Sequence, residues 1–505
     1  MKSKLNQVFG LDPRSLALFR VCVAALLLVD LVIRLQDFSA MYTEEGILPL
    51  ALAGQYHEEW RWSLHFLSSS SGFQGLLFFL AGLCALALLA GWRARLAAVL
   101  SWVLLVSLHA RMPLVLNAGD SYLRLLLFWS MFLPLGKAWS LDALRRPQSP
   151  AGGAETPALS VAGAAILLQV CIVYWYSGLA KLNEVWLGGN AMDHLLRYSM
   201  LVKPLGEYLV DFRVLLEGLT RGTVLLEIAG PFALLAPWKG VRAAGIALFA
   251  AFHTGIELTL HVGLFAFVSL SGLILFLPAC FWSCRCCTRV RGRLEPLRAL
   301  LARRWERPLP GGPADAIEGK LQRLTGGRLL TWRRRAANTL CLFFLVYIVA
   351  SWDFSTLRYR QMPDWLRGIG NAVMLPQAWG MYHTAIPRDY WYIYRGLLGD
   401  GRAIDILEEG VLTSFEPASR RADAFPNHRW RRLHVRLVDA EGGPYRKPVA
   451  EHLFRRWNEG RGPGERIEVL EMYSLTREVG RGAEGGKHGV APFARVTRAG
   501  LEGRR

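Results

Sequence analysis

Nine apolar stretches of nearly membrane-spanning length divide the 505-residue chain, and they constrain its fold more than any other feature. A transmembrane helix needs about 20 mostly apolar residues, within a range of roughly 17 to 25. Two of the stretches are short, and two others run together around His261. The pattern therefore predicts a multi-pass α-helical membrane bundle of eight or nine spans. The stretches are 16–34, 73–91, 96–116, 122–136, 158–178, 223–238, 243–260, 262–279 and 337–353.

The composition supports a membrane protein with a polar part attached. Hydrophobic residues make up 52% of the chain and charged residues 20%. Such an apolar chain is neither a disordered protein nor an ordinary soluble enzyme. The last third has no cysteine beyond Cys341, which excludes a disulfide framework there. The charged fraction is nevertheless too high for a chain embedded in lipid throughout.

The basic residues predict the orientation in the membrane. The net charge is +19, which in a soluble protein would suggest a nucleic-acid partner. Here the basic residues flank the spans, above all in the Arg-rich segment 281–336, so we expect the lipid bilayer and no nucleic acid as the partner. The positive-inside rule then places the N-terminus inside and the C-terminal region outside. Arg richness and short inside loops favour a bacterial inner membrane.

The same pattern divides the chain into five parts. We predict a transmembrane bundle over 1–280, a basic cytoplasmic segment over 281–336, a last transmembrane helix over 337–353, an outer domain over 354–480 and a disordered Gly/Arg-rich tail over 481–505.

The outer domain is predicted to be β-rich, of the α+β class. Residues 390–407 have the pattern of two strands around an Asp400-Gly401 turn. A helix is predicted over 447–458 and a further strand over 465–477.

Ionisable residues inside spans are costly, so each is a candidate for a functional site or a structural pair. Most of them converge on the outer half of the predicted bilayer. Asp120 and Arg124 have i,i+4 spacing, which favours an ion pair on one helix face. The candidates are Asp30, Asp120, Arg124, Lys181, Glu227, His253, Glu257 and His261.

Two of these groups leave alternatives open. His253, Glu257 and His261 share one helix face, a spacing compatible with a metal site, but an interhelical hydrogen-bond network is favoured and no metal is predicted. Lys181 ends the fifth span, where it is either a lysine reaching toward the headgroups or a desolvated general base.

Five stretches, in this order along the chain, carry a resemblance to a known family. They are LDPRSLALFRVCVAALLLVDLVIRLQDFSAMYTEEGILP near the start, NAGDSYLRLLLFWSMFLPLGKAWSLDA at 117–143, YSGLAKLNEVWLGGNAM at 176–192, FHTGIELTLHVGLFAF at 252–267 and LPQAWGMYHTAIPRDYWYIYRGLLGDGRAIDIL at 375–407. They resemble the HTTM family, which includes the vitamin K-dependent gamma-glutamyl carboxylases. The resemblance extends over roughly residues 10 to 480.

The resemblance implies a specific activity. In the carboxylase pattern Gly-x-x-Lys-Leu, the lysine deprotonates reduced vitamin K, and here that lysine is Lys181 after Gly178. With O2 the quinol gives a strongly basic alkoxide, which removes a proton from the γ-carbon of a glutamate. CO2 then adds to that carbon, and the products are γ-carboxyglutamate and the quinone epoxide. The implied cofactor is a reduced vitamin K-type quinone with O2 and CO2, and the implied partner is a protein or peptide on the outer face.

We expect two sets of residues around this site. Lys181 and Asp120 are the candidate catalytic residues, and the substrate cavity is expected to be lined by Arg124, Trp175, Tyr176, Trp186, His253, Glu257 and His261. A buried setting disfavours the ammonium form of a lysine, which suits a base.

The chain departs from the carboxylase pattern at one position. Where carboxylases have Asn-His-Ser-Tyr, this chain has Gly119-Asp120-Ser121-Tyr122. An acidic Asp120 cannot replace an imidazolium, and it is expected to pair with Arg124 or Lys181 instead. The alternative function is therefore a non-carboxylating membrane scaffold or maturation factor, in which the polar residues hold the helices together. A transporter is disfavoured, because we find no inverted repeat or pair of broken helices.

Overall fold

A computed structural model provides the three-dimensional structure. The residues that it describes are 2–55, 60–145, 159–284, 289, 328–351, 362–384, 388–416, 421–439, 442–479 and 489–502. Most of the predicted basic segment 281–336 lies outside these residues, as does 481–488.

The described residues in the first two thirds of the chain are mainly helical. The long apolar helices begin at polar caps, such as Ser70 before α5, Asn117 before α7 and Ser160 before α9, whose side-chain oxygens accept backbone N–H groups of the first turn. The helices are α1 (Lys2–Phe9), α2 (Pro13–Gln36), α3 (Phe38–Tyr42), α4 (Leu50–Gln55), α5 (Ser71–Ala90), α6 (Ala94–Arg111), α7 (Ala118–Ser130), α8 (Leu141–Leu144), α9 (Val161–Ala180), α10 (Glu184–Leu187), α11 (Ala191–Leu195), α12 (Pro204–Leu209), α13 (Arg213–Leu234), α14 (Lys239–Thr259), α15 (Phe265–Leu273) and α16 (Arg328–Ala350).

A helix lies on each of the nine predicted spans, but the count of eight or nine membrane crossings is not confirmed. Among the described residues, five helices are long and apolar enough to cross a membrane: α2, α5, α6, α9 and α14. The other four helices at predicted spans do not meet this requirement of length and apolarity, for two physical reasons. Helix α7 has 13 residues, and α15 continues through a short 3-10 turn only to Phe276. Helices α13 and α16 have the length, but α13 has charged residues spread along it, from Arg213 to Glu227, and α16 has four arginines in its first eight residues.

The helices enclose one large apolar core. Helix α2 packs against α5 and α15, α5 packs against α6, and α9 packs against α13 and α16. Aromatic rings at the centre of the core, including those of Tyr122, Phe128 and Trp129, are fully buried. The molecule is therefore a membrane protein in which the short central helix α7 packs against α6, α9 and α15.

Helix α17 (Asp364–Val373) and the loop after it pack back into the bundle. The Trp62 indole donates to the Ala372 carbonyl at 2.7 Å, and the Gln169 amide donates to Gln377 at 2.8 Å. Trp379 is buried and donates to the same Gln377 oxygen at 2.6 Å. This loop, residues 374–384, thus forms part of the bundle's interior.

The C-terminal domain has an antiparallel sheet, and the predicted α+β class is correct. Within the described residues the strand order is β3-β2-β1-β4-β5, and β1 pairs with β4 along its whole length. The predicted turn at Asp400-Gly401 joins β1 to β2, where Gly401 has a φ of +85°. The elements are β1 (Arg388–Leu398), β2 (Ala403–Asp405), β3 (Gly410–Val411), α18 (His428–Val438), α19 (Gly443–Asn458), β4 (Ile467–Glu478), β5 (Gly489–Thr497) and α20 (Arg498–Glu502).

Two sequence predictions for this domain have different outcomes. The helix at 447–458 and the strand at 465–477 correspond to α19 and β4. The prediction of a disordered tail over 481–505 is wrong for residues 489–502. They form β5 and α20. The pairing of β5 with β4 at the sheet edge satisfies backbone hydrogen-bonding groups of both strands, which orders this part of the tail.

Candidate functional site

Lys181 follows the last residue of α9, and its side chain is 4% exposed. Its Nζ lies 2.8 Å and 3.1 Å from the two carboxylate oxygens of Glu227 on α13, and it also donates to the Ser177 hydroxyl. The Trp186 ring is 5.1 Å from Nζ, within the range of a cation–π contact. Lys181 is therefore a buried, paired lysine, and the alternative of a lysine reaching to the headgroups is wrong.

Gly178 explains why α13 comes close enough to supply Glu227. A Cβ at Gly178 would lie 2.9 Å from Glu227 Cβ and 2.9 Å from Ile228 Cγ1, closer than real Cβ atoms approach. The missing side chain lets the two helix backbones approach each other. The Ser177 hydroxyl also donates to Glu227 at 3.0 Å. The Gly-x-x-Lys spacing thus builds a compact buried triad of Ser177, Lys181 and Glu227.

The predicted aromatic residues lie around this triad in different roles. The Trp175 indole donates to the Ile228 carbonyl at 3.1 Å, so it ties α9 to α13. The Trp186 indole is buried and donates to the Tyr382 carbonyl at 3.0 Å. Tyr176 lines the cavity described next. Trp175 and Trp186 therefore brace the lysine, and among the three only Tyr176 lines the cavity.

A cavity of about 1410 Å³ lies between the bundle and the C-terminal domain, and we call it the interdomain cavity. Bundle residues such as Tyr176, Leu179 and Ala180 form its floor, and helix α18 lines it from the opposite side. Lys181 itself is not among the lining residues. Lys181 directly follows Ala180 in the chain, and its amine contacts Ser177, Glu227 and Trp186, none of which lines the cavity. The loop 374–384 contributes a third side of the cavity.

Asp120 does not pair with Arg124 or Lys181, contrary to the prediction. Its Oδ1 accepts hydrogen bonds from Arg34 and Arg429, each at 3.0 Å, and its Oδ2 accepts the Asn117 N–H at 2.8 Å. The last contact belongs to the capping box that starts α7. Both oxygens are therefore used for structure, which does not support the proposed catalytic role of Asp120.

Asp30 completes this arrangement, which we call the central ion cluster: Asp30, Arg34, Asp120 and Arg429. Arg34 donates to Asp30 at 2.8 Å, and Arg429 donates to the other Asp30 oxygen. All four side chains are buried, and the two positive charges balance the two negative charges. Since Arg429 belongs to α18, the cluster fixes the C-terminal domain to the bundle.

Arg124 lies beside the cluster and lines the interdomain cavity, as predicted. Its Nε donates to the Met374 carbonyl at 2.9 Å, and its Nη1 lies 3.0 Å from His109 Nδ1. These contacts hold the loop 374–384 against α7.

His253, Glu257 and His261 do not form one group, contrary to the expectation of a shared network. His253 is buried, with Nε2 2.9 Å from the Tyr174 hydroxyl. Glu257 binds Lys203 at 2.7 Å. His261 lies past the end of α14, where the chain leaves the helix, and it lines the interdomain cavity. The helical i,i+4 spacing therefore does not extend to His261.

Among the described residues, one group has the composition of a metal site: Asp30, His109 and Asp120, whose ligand atoms lie within 4.8 Å of one another. Arg34 and Arg429 already neutralise both carboxylates. A dication would have to displace two buried guanidinium groups, so we assign no metal to this group.

Sequence reasoning missed two features of the site. Glu227 was recognised as a polar residue inside a span, but not as the partner of Lys181, because the two are 46 residues apart. Helix α18 was not predicted, although its sequence HRWRRLHVRL carries the signal. Asn427 is a suitable N-cap, and Trp430, Leu433 and Leu437 recur at helical spacing on one buried face.

Comparison with known proteins identifies the family of this chain. No solved structure matches the chain. The HTTM domain matches residues 10–281, which is more than half of the chain and includes Lys181, Glu227 and the whole bundle floor of the cavity. The protein belongs to the HTTM family, a family of membrane proteins that includes the carboxylases.

Proposed function

We propose that the protein is an integral membrane enzyme resembling the vitamin K-dependent gamma-glutamyl carboxylases. It would couple oxidation of a reduced vitamin K-type quinol to the addition of CO2 to glutamate of an outside protein or peptide. The observation that carries the proposal is a buried lysine, Lys181, which pairs with Glu227 and directly follows Ala180, a residue that lines a cavity of about 1410 Å³. Membership of the HTTM family agrees with it.

The cavity suits the two substrates in size and polarity. Ligand pockets commonly measure about 300–1,000 Å³, so this one has room for a quinol and a glutamate side chain together. Leu179, Phe265 and Trp379 offer apolar contacts for a quinone ring and its tail. When bound, the quinol would supply the strong base that removes the γ-proton of glutamate.

Lys181 needs a proton acceptor to serve as a base, because an ammonium group has no free electron pair. Glu227 is in position to be that acceptor, with one oxygen 2.8 Å from Nζ. Transfer of the proton to the carboxylate would leave a neutral amine, the form that can accept a proton from the quinol. We therefore assign Glu227 as the residue that prepares Lys181.

The proposed orientation follows the charge bias of the loops. The N-terminus would lie inside, and the C-terminal domain would lie on the outer face of a bacterial inner membrane. A peptide would then reach the interdomain cavity from outside, while the quinol would arrive from the bilayer.

A second function is favoured by the contacts of the same residues. Lys181 is bound by Glu227, and Asp120 is bound by two arginines, so each candidate catalytic residue already has a structural partner. A non-carboxylating membrane scaffold or maturation factor would need only these structural roles.

Turnover by the purified full chain tests the proposal. The protein receives reduced vitamin K, O2, labelled CO2 and a glutamate-containing peptide, and epoxide and peptide label are measured. We expect both products from the wild type and neither from Lys181→Ala. Lys203→Ala is the matched control, because Lys203 also binds a glutamate, Glu257, but lies outside the triad. Absence of epoxide from a folded wild-type sample would support the scaffold, and epoxide without label would indicate a quinol epoxidase.

A further inference from the structure

The interdomain cavity has an unbalanced charge. Its lining residues include five arginines and three histidines, and no described lining residue is an aspartate or glutamate. A cleft lined by side chains of one charge attracts ions of the opposite charge, so a cavity with this lining favours an anion.

One face of α18 concentrates these charges. His428, Arg431, Arg432, Val435 and Arg436 recur at helical i, i+3, i+4 spacing and all line the cavity, and we call them the arginine face. The opposite face of α18 packs into the C-terminal domain through Trp430 and Leu433. The sequence of α18 thus presents guanidinium groups to the cavity and apolar groups to the sheet.

Arg431 and Arg432, at the centre of the arginine face, use only some of their N–H donors in hydrogen bonds. Arg431 is 7% exposed, and its Nη2 donates to the His261 carbonyl at 2.9 Å. Arg432 donates through Nε to the Leu116 carbonyl at 3.2 Å. Within the described parts of the chain, neither guanidinium makes an ion pair with a carboxylate. An arginine has five N–H donors, so most of those on Arg431 and Arg432 remain available to a ligand.

Nearby groups do not cancel the charge of Arg431 and Arg432. Burial, together with the neighbouring Arg429, lowers the pKa of His428 to about 4, so His428 is neutral at pH 7. Asp439 pairs with Arg436 at 3.9 Å and Asp423 lies 3.9 Å from His261, but these two carboxylates are 53% and 62% exposed and do not line the cavity. Arg431 and Arg432 therefore keep their positive charge toward the cavity.

The bundle side of the cavity has an apolar floor beside the polar residues Asn117 and Arg124. The floor is formed by Leu114, Leu116, Leu179, Val262 and Phe265, which come from bundle helices or the turns that join them. The backbone polar groups of a peptide would be unpaired if they lay on these side chains, so the floor itself suits an alkyl chain better.

We propose that the interdomain cavity binds an anionic amphiphile, a lipid-like molecule whose phosphate head is held by Arg431 and Arg432 and whose alkyl chain lies on the apolar floor. A guanidinium group donates its N–H groups in a planar fork that matches two oxygens of a phosphate monoester. The site does not depend on the proposed carboxylase activity, because its binding is measured without turnover.

Binding to the full chain in a neutral maltoside detergent tests this site. The probes are tetradecyl phosphate and tetradecyl phosphocholine, which share one chain and differ in head charge. We expect the phosphate to bind at least about tenfold more tightly, the effect of one charge-assisted hydrogen bond. The double variant Arg431→Gln/Arg432→Gln should lose that preference. Arg455→Gln, an exposed arginine on α19, should keep it.

Competition measurements distinguish the possible anions, and a second variant is available if the double variant does not fold. Inorganic phosphate and a hexaglutamate peptide should each displace tetradecyl phosphate only weakly, because neither has an alkyl chain for the apolar floor. Equal binding of the two amphiphiles, or stronger binding of the peptide or of free phosphate, would overturn the proposal. If the double variant does not elute as a folded species, Arg432→Gln alone replaces it, because Arg432 is only partly buried.

Discussion

Arg429 and Asp30 form a buried ion pair although 399 residues separate them in the chain. Asp30 lies in the second half of α2, and Arg429 lies in the first turn of α18. The Nη2 group that binds Asp30 also reaches Asp120 at 3.0 Å. One guanidinium therefore joins the first long helix, the central helix α7 and the C-terminal domain.

Replacing Arg429 should destabilise the whole protein. The variant Arg429→Met would leave Asp30 and Asp120 with one arginine between them, and breaking a buried pair in this way costs about 3–5 kcal/mol. We expect a clearly lower midpoint of thermal unfolding, measured by tryptophan fluorescence in detergent. Arg455→Met, an exposed position on α19, serves as the control. An unchanged midpoint would show that the cluster does not hold the domains together.

The close approach of α9 and α13 predicts an effect of Gly178→Ala. The new Cβ would lie 2.9 Å from Glu227 Cβ, so the helices must separate, at a cost of about 1–3 kcal/mol. Gly218→Ala on α13 is a matched control, because no atom lies within 4 Å of its Cβ. That control should be neutral or should stabilise by about 0.4–1 kcal/mol. Equal midpoints for the two variants would contradict the assigned role of Gly178.

The Lys181–Glu227 pair predicts non-additive effects on stability. Lys181→Met or Glu227→Leu alone leaves one buried charge and should cost about 3–5 kcal/mol, whereas the double variant removes both charges and should cost much less. The measurement is a double-mutant cycle on the free energy of unfolding in denaturant. Additive single effects would mean that the two charges do not interact in the folded protein.

His434 predicts that acid destabilises the C-terminal domain. Burial lowers the pKa of His434 to about 4, partly offset by the hydrogen bond to the Trp430 carbonyl. The unfolded histidine has a pKa of about 6.5, so the stabilising effect is complete above pH 6.5 and is lost as the pH falls toward 4. We expect a loss of about 2 kcal/mol at pH 5.

The matching measurement compares unfolding midpoints of the wild type and His434→Gln between pH 7.5 and 5. The variant should lose less stability on acidification than the wild type does. His194→Gln, outside the C-terminal domain, should behave as the wild type. A wild type and a His434→Gln variant with parallel pH profiles would exclude His434 as the responsible group.

Local patterns were sufficient to predict much of the structure. Apolar runs predicted helices at nine positions, since a helix on each of them satisfies its own backbone hydrogen bonds. The Asp400-Gly401 turn predicted the β1–β2 hairpin, because this turn depends on residues that are adjacent in sequence. Helix α18 was missed, although its cap and its spacing are also local signals.

The sequence by itself determined the membrane bundle, the α+β class of the C-terminal domain and the candidate lysine, because periodicity and short motifs encode them locally. Only the tertiary structure decided which charges meet. Lys181 binds Glu227, and Asp120 binds Arg34 and Arg429, at separations that no helical spacing relates. Buried charges must find partners in space, and the close approach at Gly178 and the docking of α18 determine which partners are within reach.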